Sequence, residues 1–174
     1  TILKDLGNLR EAEVSQRKAI ELNPNYAIAH SNLGNIWRDL GKLKEAEVSL
    51  RKAIEINPNY AIAHYNLGKL YQDIGNSEEA KISYSKAISL RPNYISALRN
   101  RGQLYFDEGQ FNLALRDSYS YNTQKSRGFA LEVLYALGKI DEIYKRIKEN
   151  SDLDSKNITV AAFSAFISEK EKKD

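Results

Sequence analysis

An all-α solenoid of stacked antiparallel helix pairs is the architecture this sequence predicts. Proline turns recur at Pro24, Pro58 and Pro92, spaced 34 residues apart (58 − 24 and 92 − 58), each followed by Asn and Tyr. Gly7, Gly41, Gly75 and Gly109 keep the same interval. Between each proline and the next, apolar residues fall at helical spacing in two runs parted by the glycine, for example Ala29, Leu33, Gly34, Trp37 and Leu40, then Leu43, Ala46, Leu50, Ala53 and Ile54. A period of this length marks a repeated supersecondary unit whose open face is covered by its neighbour.

The elements follow in order. Residues 1–26 form a partial first repeat, the tail of one helix before Gly7 and then a helix carrying Ala12 and Ala19 up to Pro24. Residues 27–60 and 61–94 are complete units. Pro58 cannot continue a helix and drives Asn57 toward extended geometry, while Asn59 is expected to cap a helix beginning at Tyr60. Gly41 and Gly75 occupy the place of a left-handed helix terminator. Residues 95–124 keep Gly102, Tyr105, Gly109 and Ala114, but Ser118, Tyr121 and the missing proline predict altered packing of the second helix. Residues 125–150 read as a degenerate helix pair around Gly138. In 151–174, Val160, Phe163, Phe166 and Ile167 make an apolar stripe before a polar tail, a capping or linker helix. All belong to one solenoid domain. Thr1 enters the repeat partway through, so a fragment of a longer chain is expected.

Composition narrows the chemistry. The 174 residues include no cysteine, which excludes disulfides and thiolate metal sites. A net charge of +3, with Lys and Arg interspersed among acids, is too slight for a nucleic-acid footprint. No apolar run reaches the ~20 residues of a membrane span, and nothing at the start reads as a signal peptide. We therefore expect a cytoplasmic protein with no membrane and no nucleic-acid partner. Phosphate-cradling loops, nucleophile motifs and metal-binding helix motifs are absent from the sequence. His30 and His64, one period apart, read as packing residues, and neither an enzyme nor a cofactor is expected.

The residues at fixed places in the period resemble the tetratricopeptide repeat family. One unit supplies His30, Leu33, Gly34, Trp37, Ala46, Leu50, Ala53 and Pro58, and the next supplies His64, Leu67, Gly68, Tyr71, Ala80, Tyr84, Ala87 and Pro92. Small residues at Gly34, Ala46 and Ala53 let paired helices approach, and Trp37 or Tyr71 fills the gap between successive pairs. Leu at position 34 would overpack that contact at roughly 1–3 kcal/mol.

The resemblance implies a right-handed superhelix whose first helices line a concave groove. By analogy Asn32, Asn66 and Asn100 then form a ladder of carboxamides, with Asn35, Lys69, Gln103, Tyr65, Arg99, Arg38 and Gln72 around it. A carboxamide can bond both the N–H and the C=O of an extended peptide, each bond contributing about 0.5–1.5 kcal/mol net. This Asn ladder is similar to that of the O-linked N-acetylglucosamine transferase repeats. Lys69 and Arg99 would favour an acidic ligand, and Tyr65 and Phe106 would stack on apolar side chains, with Asp39, Asp73 and Asp107 offsetting some charge. Plain solvated polar positions are the competing reading. The carboxylate clamp of chaperone-binding relatives is not reproduced, because Ser31, Ser96 and Asn100 stand where it needs cations.

Three functions stay open on these grounds. A scaffold that binds an extended peptide or partner segment in the groove is favoured. The alternatives are the substrate-recruiting region of a larger glycosyltransferase, methyltransferase or oxygenase, and an RNA-binding array. Incompletely covered terminal helices also make self-association an expectation.

Overall fold

The structure is a computed structural model describing residues 2–120 and 124–149. These form nine α-helices and no strand: α1 (Ile2–Leu22), α2 (Ala27–Asp39), α3 (Leu43–Ile56), α4 (Ala61–Asp73), α5 (Ser77–Leu90), α6 (Ile95–Asp107), α7 (Phe111–Tyr119), α8 (Gln124–Ala136) and α9 (Ile140–Glu149). Contacts divide the chain into two compact units, Thr1–Ala97 and Leu98–Asp174. The stripe from Val160 to Ile167, the polar tail and Tyr121 lie outside the described residues.

Each hairpin turn is closed by a glycine. Gly41 has φ 74°, a left-handed value that other residues adopt only with strain, and this lets Lys42 N–H reach back to the Trp37 carbonyl at 2.8 Å while Gly41 N–H bonds Arg38 at 2.9 Å. The same two-bond closure recurs at Gly75, Gly109 and Gly138. Gly7 departs from the series, because α1 runs through it without a turn. A glycine inside a helix costs only ~1 kcal/mol, which the rest of this 21-residue helix carries.

The proline turns between hairpins have their own closure. Asn57 is extended (φ −134°, ψ 91°), and its side-chain oxygen accepts the Asn59 N–H at 3.1 Å. Asn23 treats Asn25 the same way. Asn59 therefore does not cap α4; the cap position is Tyr60, which makes no side-chain cap bond. The bonding carboxamide is the one before the proline, where an Asx turn spans it. His30 and His64 each place Nε2 2.9 Å from the carbonyl of Pro24 and Pro58, so each ring donates there and fastens its helix to the preceding turn.

In the first unit α2 packs on α3 and α4 on α5, and α1, α3 and α4 continue the stack. The interior is built from small residues against large ones. A Cβ on Gly34 would lie 2.6 Å from Leu50 Cγ, and one on Gly68 would lie 2.6 Å from the Tyr84 ring. Both distances are impossible for real atoms, so the helices owe their close approach to glycine. Aromatic residues then tie one hairpin to the next: Trp37 Nε1 donates to Glu13 at 2.9 Å, and Tyr71 Oη donates to Glu47 at 2.8 Å. In the second unit Ala114, Leu115, Ala130, Leu131, Val133, Leu134 and Ile143 make a separate core.

Candidate functional site

The residues expected in the groove come from the first helix of each hairpin. Those of the first unit sit on α2 and α4, which pack directly on each other. Asn32 is exposed, and Asn35, Asn66 and Lys69 are half-buried. The Asn66 amide donates to Ser31 Oγ at 3.2 Å, a bond from α4 to α2 that fixes the carboxamide. Its oxygen and second N–H make no other bond among the described residues. Asn66 is thus held by one corner and keeps both an acceptor and a donor.

Arg38 is committed more deeply. Its side chain is only 8% exposed, with Nε 3.2 Å from Asp39 and 3.3 Å from Asp73. This links α2 to α4 beside Lys69. Nη1 of Arg38 is buried without a partner. Burial lowers the Lys69 pKa, and repulsion from Arg38 lowers it further against the pull of Asp39 and Asp73. A neighbouring anion would relieve that strain.

Tyr65 and Gln72 are occupied within the protein. The Tyr65 ring lies 4.9 Å from that of Tyr94 and 5.8 Å from that of Tyr84, and the Gln72 oxygen accepts the Tyr84 hydroxyl at 2.7 Å. Burial, with a smaller push from Tyr65, raises the Tyr94 pKa. In the second unit Arg99 is exposed, Asn100 is half-buried, and Gln103 is exposed with its amide 2.8 Å from Asp107. Phe106 packs edge-on against Phe111 and Phe129, with centroids at 5.4 and 5.7 Å. Asn32, Asn35, Asn66 and Lys69 thus lie on the packed helices α2 and α4, Asn32 exposed and the others half-buried. Arg38, Tyr65 and Gln72 are bound within the protein, to Asp39 and Asp73, to Tyr94 and Tyr84, and to Tyr84.

Sequence reasoning missed those contacts. The Arg38 to Asp73 link joins residues 35 apart (73 − 38), one more than the period, a spacing that contacts between successive helices produce but that alignment on the period hides. No cluster of His and acidic groups capable of holding a metal occurs among the described residues. No helix there is long and apolar enough to cross a membrane.

The family model described as TPR repeat matches residues 34–75, and the one described as Tetratricopeptide repeat matches residues 1–26 and 61–94. The crystal structure of MamA protein is similar at a TM-score of 0.72, with 22% identity over 88% of this chain and 86% of that one. A second MamA crystal structure reaches 0.70 at 21% identity, covering 98% and 93%. YrrB, described as a TPR protein with an unusual peptide-binding site, reaches 0.71 at 23% identity, covering 90% and 86%. At these identities the likeness is one of fold. No curated protein matches the chain.

Proposed function

Because the chain belongs to the tetratricopeptide repeat family, we propose that it is a protein-interaction scaffold that lays an extended peptide across α2 and α4. The observation that carries this reading is the state of Asn66, pinned to Ser31 through one N–H while its oxygen and other N–H remain unspent. A carboxamide fixed in this way loses little entropy on bonding a peptide backbone, and it reads no side chain. Asn32, exposed on α2, supplies a second carboxamide. Lys69 adds a preference for an acidic residue in the peptide, since a carboxylate restores the solvation that burial removes from the ammonium. YrrB, with its peptide-binding site, supports the general class by its fold.

Calorimetric titration of peptides selected from an extended-peptide library tests the reading. Asn66→Ala should weaken binding several-fold, on the scale of one hydrogen bond of about 0.5–1.5 kcal/mol, and leave the thermal midpoint almost unchanged. Asn32→Ala should add to the loss. Undiminished affinity in both variants would remove α2 and α4 as the site.

A further inference from the structure

Two hollows of one design lie between the second helices of successive hairpins in the first unit, away from the residues just discussed. The first, of about 600 Å³, is walled by Ile20 of α1 and Val48 of α3 and floored by Leu33 and Trp37 of α2. The second, of about 520 Å³, has Ile54, Ile82, Leu67 and Tyr71 at the equivalent places one period on. Both fall within the ~300–1,000 Å³ of ordinary ligand sites. Val14, Val48 and Ile82, at one register on α1, α3 and α5, are 66%, 70% and 61% exposed. Three β-branched residues left in water at one position add nothing to the core, and a repeated apolar row of this kind marks an interaction face.

The polar groups in the floor of the first hollow are spent internally. The Trp37 N–H is held by Glu13, the Ser49 hydroxyl by the His30 carbonyl at 2.9 Å, and the His30 ring by Pro24. An occupant therefore meets hydrocarbon inside and charge only at the rim. That rim is polarised along the helices. Arg17 on α1 and Lys52 on α3 stand about one turn before Glu21 and Glu55. Neither α1 nor α3 has a basic residue in its last turn, so the two helix dipoles add to the negative end. Arg17 and Lys52 are paired with Glu13 and Glu55, at side-chain exposures of 57% and 43%. The Lys52–Glu55 pair is exposed on both sides, so it is weak and exchanges readily with an incoming charge, whereas Arg17 is anchored on Glu13, only 12% exposed, and lies over the Trp37 ring at 5.4 Å.

We propose that the first hollow seats an amphipathic helix of a partner protein, lying antiparallel to α1 and α3. Its apolar stripe would fill the space above Leu33 and Trp37, in the manner of a helix bound in a groove. Its cations lie over Glu21 and Glu55, and its anions, one turn nearer its C-terminus, lie over Arg17 and Lys52. Charge order along the helix is what distinguishes this occupant from an arbitrary apolar one.

Two end-blocked fluorescent peptides, each with leucines on one face and its two charge pairs about one turn apart on the flanks, test the proposal with the full chain by anisotropy: QALKAKLEELAAAL and its charge-exchanged partner QALEAELKKLAAAL. The second is the intrinsically better helix, because its charges suit its own dipole, so tighter binding of the first cannot come from helicity. The first should bind about fivefold more tightly. Val48→Asp, a change at an exposed side chain, should weaken it about tenfold with an unaltered circular dichroism spectrum and melting point. Equal affinities, no binding of either peptide up to millimolar concentration, or binding indifferent to Val48→Asp would overturn the proposal. So would sedimentation showing that the chain alone dimerises and that Val48→Asp makes it monomeric, since the occupant would then be a second copy.

Discussion

The hairpins α2–α3 and α4–α5 and the hairpin α6–α7 share a plan but not a filling. In the first two, Leu33 or Leu67 precedes the helix-contact glycine, and the facing helix supplies Ser49 with Leu50 or Ser83 with Tyr84. In α6–α7 the same registers hold Arg101, Asp117 and Ser118. Arg101 Nε and Nη2 each meet an Asp117 oxygen at 2.7 Å, with Asp117 only 1% exposed. Small Ser118 in place of a large residue also relaxes the contact at Gly102, where a Cβ would lie 3.4 Å from Asp117 Cβ and 3.5 Å from Phe129. The glycine turn and its two closing bonds persist at Gly109. The hairpin backbone is thus set by the turn and tolerates either an interlocked apolar contact or a forked ion pair at its centre.

That contrast can be broken most forcefully at Asp117. Asp117→Ala leaves the Arg101 guanidinium buried without its forked partner, a loss of about 3–5 kcal/mol. Restoring the filling of the other hairpins with the double change Arg101→Leu and Asp117→Ser should recover most of it, because two neutral residues replace a buried ion pair and the serine hydroxyl can bond a facing carbonyl as Ser49 bonds His30. Denaturant unfolding of the single and double variants measures both. A double variant no more stable than Asp117→Ala would mean that the third hairpin cannot accept the filling of the first two.

Smaller effects, differing in sign between the two kinds of hairpin, are expected at the contact glycines. Gly34→Ala and Gly68→Ala force a methyl into the Leu50 side chain or the Tyr84 ring and should each destabilise by roughly 1–3 kcal/mol. Gly102→Ala meets only ordinary contacts and gains helix propensity, so it should be neutral or stabilising by up to about 1 kcal/mol. Thermal melts that rank the three substitutions alike would remove the difference in packing.

What could be read from the sequence followed the period. Pro24, Pro58 and the glycines place the turns because their backbone constraints act locally, within a few residues. Gly7 misled because a glycine permits a left-handed turn without requiring one, and here it keeps helical geometry inside α1. Asn59 misled because α4 begins one residue later than expected, at Ala61, which puts Tyr60 in the cap position. In the candidate groove, the place of Asn66 and Lys69 on the first helix of a hairpin was legible as register, but the commitment of Arg38 to Asp73 and of Tyr65 to Tyr94 was not. Those contacts join neighbouring hairpins, and their geometry depends on how the pairs pack. Arg101 and Asp117 were hidden for a similar reason, since each looks like a solvated charge until the two helices bring them together.

Acid sharpens the comparison from the side of the first unit, with the smallest expected effect. Glu13 accepts bonds from Trp37, Lys42 and Arg17, and Glu47 accepts from Arg51 and Tyr71. The Trp37 bond, followed by those of Lys42 and Arg17, holds Glu13 below the ordinary carboxylate value of 4.5, and Arg51 followed by Tyr71 does the same for Glu47. On the other side of that bond, burial together with Glu47 pushes the Tyr71 hydroxyl up to about 12. A carboxylate whose pKa is lowered by folding stabilises the fold fully above its unfolded value and loses that contribution as pH falls through the folded one. The double variant Glu13→Gln and Glu47→Gln should therefore melt lower than the native chain at pH 7, by the worth of a few net hydrogen bonds of about 1 kcal/mol each. That gap should close as pH is lowered below about 4.5 toward 3. A gap that stays constant across this range would show that the links from Trp37 and Tyr71 to the preceding hairpin act through packing of the rings, and that the ionised acceptors add nothing to the stack.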